Sequence, residues 1–93
     1  MNTVIQILQQ HKEDLFKKYP LKSMALFGSY SRGEETVDSD VDVMVELAGP
    51  IGMGFLNLNY EIENLLNKKV DLVSKRGIKP GYFAFIEPDL IYV

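Results

Sequence analysis

"GSYSRGEETVDSDVDVMVEL", residues 28–47, sets six carboxylates and one arginine behind a Gly-Ser turn. Three of the acids, Asp38, Asp40 and Asp42, fall within five residues, where an alternating pattern begins. Like charges so close repel one another, and burying them is costly unless something positive compensates. The stretch is therefore either a solvated acidic loop or a site whose missing positive charge is a metal ion. The same residues frame the architecture. In "VDVMVEL", Val41, Val43 and Val45 alternate with Asp42, Met44 and Glu46, which predicts a strand with one apolar face. Gly28 to Gly33 predicts a turn leading into a short helix, and residues 34–39 an acidic loop.

Upstream, "SMALFG" is a short apolar run ending in glycine, which predicts a buried strand over residues 22–27. Before it, Val4, Leu8, His11 and Leu15 recur at helical spacing, flanked by Ile5 and Phe16. They predict an amphipathic helix from about residue 3 to about residue 18, closed by Pro20. Downstream, "AGPIGMG" breaks the strand, and Phe55, Leu58, Ile62, Leu65 and Leu66 mark a second amphipathic helix. "KVDLVS" predicts a third strand over 69–74. Pro80, Tyr82, Phe83, Phe85 and Ile86 suggest a short helix whose rings join the core, or form a partner interface if several prove exposed, and "LIYV" a fourth strand. The class is α/β (α+β): a small mixed sheet of about four strands with helices packed against it. No linker or repeat divides the chain, so residues 1–93 read as a single domain.

Composition narrows the chemistry. The chain is 46% hydrophobic and 25% charged, ordinary for a folded soluble protein. Cysteine is absent and histidine occurs once, so disulfides, thiolate sites and multi-histidine zinc sites are excluded. A bound metal must take oxygen ligands, which points to magnesium, manganese or calcium. No apolar run reaches the length of a membrane span and the amino terminus lacks a signal-peptide pattern, so a cytoplasmic location is expected. A net charge of -3 argues against non-specific nucleic-acid binding. Charge is nevertheless segregated: residues 68–79 carry Lys68, Lys69, Lys75, Arg76 and Lys79, with Asp71 as their only acid.

Asp40 and Asp42 are two residues apart at the start of a strand, so their side chains emerge on one face. Such a pair makes a poor structural contact and a good cradle for a divalent cation. Asp71 sits between Val70 and Leu72 in a short apolar strand; if that strand lies beside 41–46, the three carboxylates converge. Gly28 permits a sharp bend or close backbone approach. Ser29 stands where helix N–H groups favour an anion, and its hydroxyl can donate to a phosphate oxygen. Arg32, one turn on, adds a charge-assisted contact to the same phosphates. Phosphate binder and metal cradle thus lie about ten residues apart, which suits a magnesium–nucleotide complex.

Gly28-Ser29, ten intervening residues and then Asp40-Val41-Asp42 resemble the signature of the DNA polymerase β nucleotidyltransferase superfamily. The run "GSYSRG…SDVDVMV" and the short length resemble its minimal nucleotidyltransferase branch, with Asp71 in "KVDLVS" at the third acidic position. The resemblance covers about residues 3–76. It implies a polymerase-β-like palm that transfers a nucleoside monophosphate, expected to be AMP from ATP, to a hydroxyl. It also implies that Asp40 and Asp42 hold two Mg2+ ions, with Mn2+ as an alternative. Asp71 completes the site near the attacking hydroxyl, and Gly28, Ser29 and Arg32 hold the phosphates. Minimal nucleotidyltransferases are commonly paired with a HEPN-domain protein as antitoxin and toxin. The expected acceptor is therefore a tyrosine of such a partner; a homo-oligomer is equally compatible with the sequence.

Other residues are expected to be inert. Glu34, Glu35 and Asp38 read as solvent-facing loop acids, Ser39 as a turn hydrogen bonder, and His11 as a packed or boundary residue. Lys68, Lys69, Lys75 and Arg76 read as a solvated strand edge. Two other functions compete: a binding module that keeps nucleotide affinity and neutralises its partner by occlusion, and a phosphoacceptor domain resembling a response regulator. The Gly-Ser turn has no role in the latter.

Overall fold

A computed structural model describes residues 3–93. The apolar spacing of the first segment forms α1, Thr3–Lys18, whose buried Val4, Leu8 and Leu15 lie on one stripe. After β1, Leu21–Phe27, comes a single helical turn, α2, Ser29–Arg32. Then follow β2, Val41–Leu47, α3, Gly54–Leu66, and β3, Val70–Ser74. A 3-10 turn at Lys75–Gly77 leads to α4, Pro80–Ile86, and another at Glu87–Asp89 leads to β4, Ile91–Tyr92. The predicted order of helices and strands is recovered, with boundaries shifted by a residue or two.

The four strands form one mixed sheet in the order β3-β2-β1-β4. β1 runs antiparallel to both β2 and β4, whereas β2 and β3 are parallel and joined by α3. One sheet face, bearing Leu26, Val43, Val45 and Leu72, packs on α1 and α3 through Leu8, Leu15, Leu58 and Ile62. This is the main core.

The other face corrects the reading of β2 as a strand with a single apolar side. Met44 is fully buried, in a second cluster with Ala25, Phe27 and Ile86, against which Phe83 and Val73 pack. α4 returns over this face from about forty residues downstream, which strand alternation cannot foretell. Because α4 is short, it covers only part of the face. The aromatic tail is also only partly core: Phe83 packs inward, whereas Tyr82 and Phe85 are 53% and 74% exposed. Among the described residues no helix is long and apolar enough to cross a membrane.

Candidate active site

Strand register assembles the site. Asp42 pairs with Phe27 across the antiparallel ladder and with Asp71 across the parallel one. Cross-strand partners point to the same face, so Asp42 and Asp71 share the face of Phe27, Met44 and Val73. They emerge where α4 leaves that face open. Adjacent strands lie about 4.8 Å apart, so these two carboxylates start as near neighbours. Asp40 precedes β2 and is exposed, one pleat repeat, about 7 Å, back from Asp42 on the same side.

Gly28 closes β1 directly against this cluster. Its φ of 73° lies in the left-handed half of backbone space, which glycine adopts without strain. A Cβ at this position would run into Oδ2 of Asp42 and come within 3.1 Å of its Cγ. Glycine is thus required twice, for the turn and for the close approach. The Gly28 carbonyl accepts the N–H groups of Ser31 and Arg32 at 3.1 and 3.2 Å, and the Ser31 hydroxyl at 3.0 Å. These bonds wind α2 so that Ser29 begins it beside Asp42, and no side chain caps this start.

Arg32 lies at the end of α2, but its guanidinium is already engaged. Nε donates to Glu34 at 2.9 Å and one terminal nitrogen to Asp89 at 3.4 Å. Glu34, solvent-facing as expected of the loop, is also one anchor of this arginine. Asp89 is the other, and sequence offered no signal for it because it lies 57 residues away. Arg32 still bears electrostatically on Asp42, favouring its ionised form.

The net field at Asp42 is unfavourable. Burial first, then the negative charges of Asp71 and Asp40, hold its carboxyl above the ordinary carboxylate range, against the opposing pull of Arg32. Among the described residues none of the three aspartates has a hydrogen bond or ion pair to another side chain, and only the more distant charge of Arg32 opposes the repulsion at Asp42. Among the described residues no three carboxylates or histidines close into a ready-made metal cage. Magnesium takes only one or two carboxylates and fills its octahedron with water and substrate phosphate, so it needs no such cage. All-oxygen donors and a backbone pressed against one of them suit such a cation, so the residues fit it.

Glu63 on α3 also escaped notice in the sequence. Its Oε2 accepts the N–H of Val70 at 3.0 Å and fixes the start of β3, one residue before Asp71. Val41 N–H donates to the Lys69 carbonyl at 2.9 Å, locking β2 to the same point. Ser39 behaves as expected, its hydroxyl accepting the Thr36 N–H at 2.9 Å in the turn before Asp40. Glu35 and Asp38 are exposed, and His11 sits at the boundary of the core. Lys68 lies 5.9 Å from the Tyr30 ring centroid and Lys75 5.3 Å from that of Phe83. Lys69 and Arg76 are exposed.

The chain is similar in sequence and fold to known proteins. The family model for the nucleotidyltransferase domain matches residues 8–92. A Methanocaldococcus jannaschii protein named as a candidate protein adenylyltransferase, MJ1379, is 45% identical over 97 residues, spanning 100% of this chain and 97% of its own. A solved structure named as a candidate minimal nucleotidyltransferase superposes with a TM-score of 0.76 at 29% identity, over 92% of each chain. A toxin–antitoxin crystal structure with AMP-PNP matches at a TM-score of 0.63 and 28% identity, over 76% of this chain and 60% of that one.

Proposed function

The chain belongs to the nucleotidyltransferase domain family, and from that membership we propose that it transfers AMP from ATP to a hydroxyl of a partner protein. The acceptor is a tyrosine of a HEPN-domain toxin, and the chain acts in the cytoplasm as the antitoxin. The observation that carries the reading is the register of Asp42 with Asp71, beside a glycine whose backbone touches Asp42. Similarity to a named adenylyltransferase and to a toxin–antitoxin structure with an ATP analogue supports the choice of AMP and of a protein acceptor.

Asp40, Asp42 and Asp71 would hold magnesium, which when bound stabilises the attacking and leaving oxygens of an in-line displacement. Gly28 and Ser29 receive the β- and γ-phosphates through backbone N–H and hydroxyl groups. Arg32 supplies the balancing positive charge, exchanging its carboxylate partners for phosphate oxygens. Asp71, exposed at the edge strand, takes the proton of the acceptor hydroxyl. The hydroxyl oxygen bonds to the α-phosphorus, the bond to the bridging oxygen breaks, and pyrophosphate leaves. Holding hydroxyl and phosphate on one open face supplies the proximity that the displacement needs.

The test is label transfer. With ATP labelled at the α-phosphate, magnesium and a HEPN-domain toxin protein, the wild type is expected to label that protein. Asp40→Asn and Asp42→Asn are expected to lose the transfer by about a hundredfold or more. Transfer of label from γ-labelled ATP, and none from α-labelled ATP, would overturn nucleotidyl transfer. Tight complex formation with no transfer would favour occlusion.

A further inference from the structure

We infer that the exposed aromatic side of α4, together with the basic turn before it, is the surface on which the acceptor protein docks, presenting an acidic, partly apolar surface of its own. The inference rests on the reading of the chain as an enzyme that acts on a protein hydroxyl.

Position comes first. α4 packs on the same sheet face from which Asp42 and Asp71 emerge, with Ile86 against Met44. Met44 lies two residues from Asp42 along β2, about 7 Å. A protein that brings a hydroxyl to these carboxylates must therefore lie over or against α4.

Chemistry comes second. Tyr82 and Phe85 stack one turn apart with ring centroids 6.3 Å from each other, and both are mostly in water. Tyr82 also walls, with Ile78 and Lys79, a groove of about 520 Å³ that runs around the β3 edge to Leu72 and Phe55 of the α3 side. Exposed rings beside a groove are the usual anchor of a protein interface. Around them Arg76 and Lys79 are exposed, with no ion-pair partner among the described residues, while Lys75 lies over Phe83. Unpaired cations at the rim of an apolar patch call for acidic residues opposite them.

A rival surface exists. Met53, Leu56 and Tyr60 on α3 are 73%, 43% and 55% exposed. α3, however, covers the opposite sheet face, so a partner seated there has the whole sheet between its hydroxyl and Asp42. Geometry selects α4.

The experiment measures binding of a HEPN-domain toxin protein, together with α-label transfer to it, for three double variants. Tyr82→Ala with Phe85→Ser, and Arg76→Glu with Lys79→Glu, are each expected to weaken binding at least about tenfold and to reduce transfer in step. Both should bind magnesium–ATP as the wild type does, which also reports an intact fold. Leu56→Ser with Tyr60→Ser should change neither binding nor transfer. Loss of binding only in the α3 variant, or undiminished transfer by both α4 variants, would overturn the inference. So would self-association of the wild-type chain abolished by the α4 substitutions, since a second copy would then be the occupant. If the wild type binds through α4 yet transfers no AMP, docking stands and the enzymatic reading falls.

Discussion

Gly28 and Asp42 behave as a single unit, because the absence of one side chain is what admits the other. Gly28→Ala places a methyl group on Oδ2 of Asp42 in a backbone conformation that disfavours L-residues. It is expected to cost about 1–2 kcal/mol of stability. A soluble fraction should still fold but should lose AMP transfer, because the Asp42 carboxylate and the start of α2 cannot both keep their places. Parallel melting and label-transfer measurements check this. Arg32 sets the opposite sign of charge, and its ties to Glu34 and Asp89 compete with phosphate. Solvent-exposed pairs of this kind are individually weak and readily exchanged. Asp89→Asn is therefore expected to tighten magnesium–ATP binding by about two- to fivefold, read by calorimetric titration. Asp40, Asp42 and the Gly-Ser turn were visible in the sequence because their spacing is local. Asp89 was not, because the contact is made by folding back a tail with no motif of its own.

At the scale of elements, the sheet face that binds α1 and α3 is the part that periodicity describes well. Their apolar stripes and the valines of β2 announce each other from adjacent stretches of chain. α1 and α3 are further joined at one end, where Glu61 accepts hydrogen bonds from Lys18 and Tyr19, each at 2.8 Å. The Lys18 hydrogen bond is the largest influence holding the Glu61 carboxyl below its ordinary value, with burial opposing it. A lowered folded value means that the unfolded chain takes up the proton first as pH falls. The stabilisation is therefore present above the unfolded value and is lost as pH drops through the folded one. Glu61→Gln is expected to lower stability at pH 7 by about 0.5–1 kcal/mol, a deficit that shrinks below about pH 4. Denaturant melts at both pH values measure it. Met44 shows where elements stop being legible. It alternates with aspartate and glutamate like a solvent-facing residue, yet α4 buries it, because burial on that face is decided by a helix that forms later in the chain.

The molecule as a whole is a sheet clad completely on one side and partly on the other. The half-covered face is what makes a site of the acidic stretch at residues 38–42. Asp42 and Asp71 are brought into register by the parallel pairing of β2 and β3, and α4 ends the apolar cover just short of them. Spacing alone placed Asp40 and Asp42 on one face, but the meeting with Asp71 depended on which strand lay beside β2. That pairing is a long-range choice which the sequence could state only as a condition. Glu63, which pins the start of β3, helps to secure it. Among the described residues no side chain bonds to these three carboxylates, and on the proposed function a divalent cation arriving with the nucleotide would offset their charge. Counting manganese ions by electron paramagnetic resonance, with a non-hydrolysable ATP analogue present, addresses this most directly. The wild type is expected to bind about two ions per chain and Asp42→Asn about one or none. Equal manganese binding by the two proteins would contradict the assignment of Asp40, Asp42 and Asp71 as the metal site.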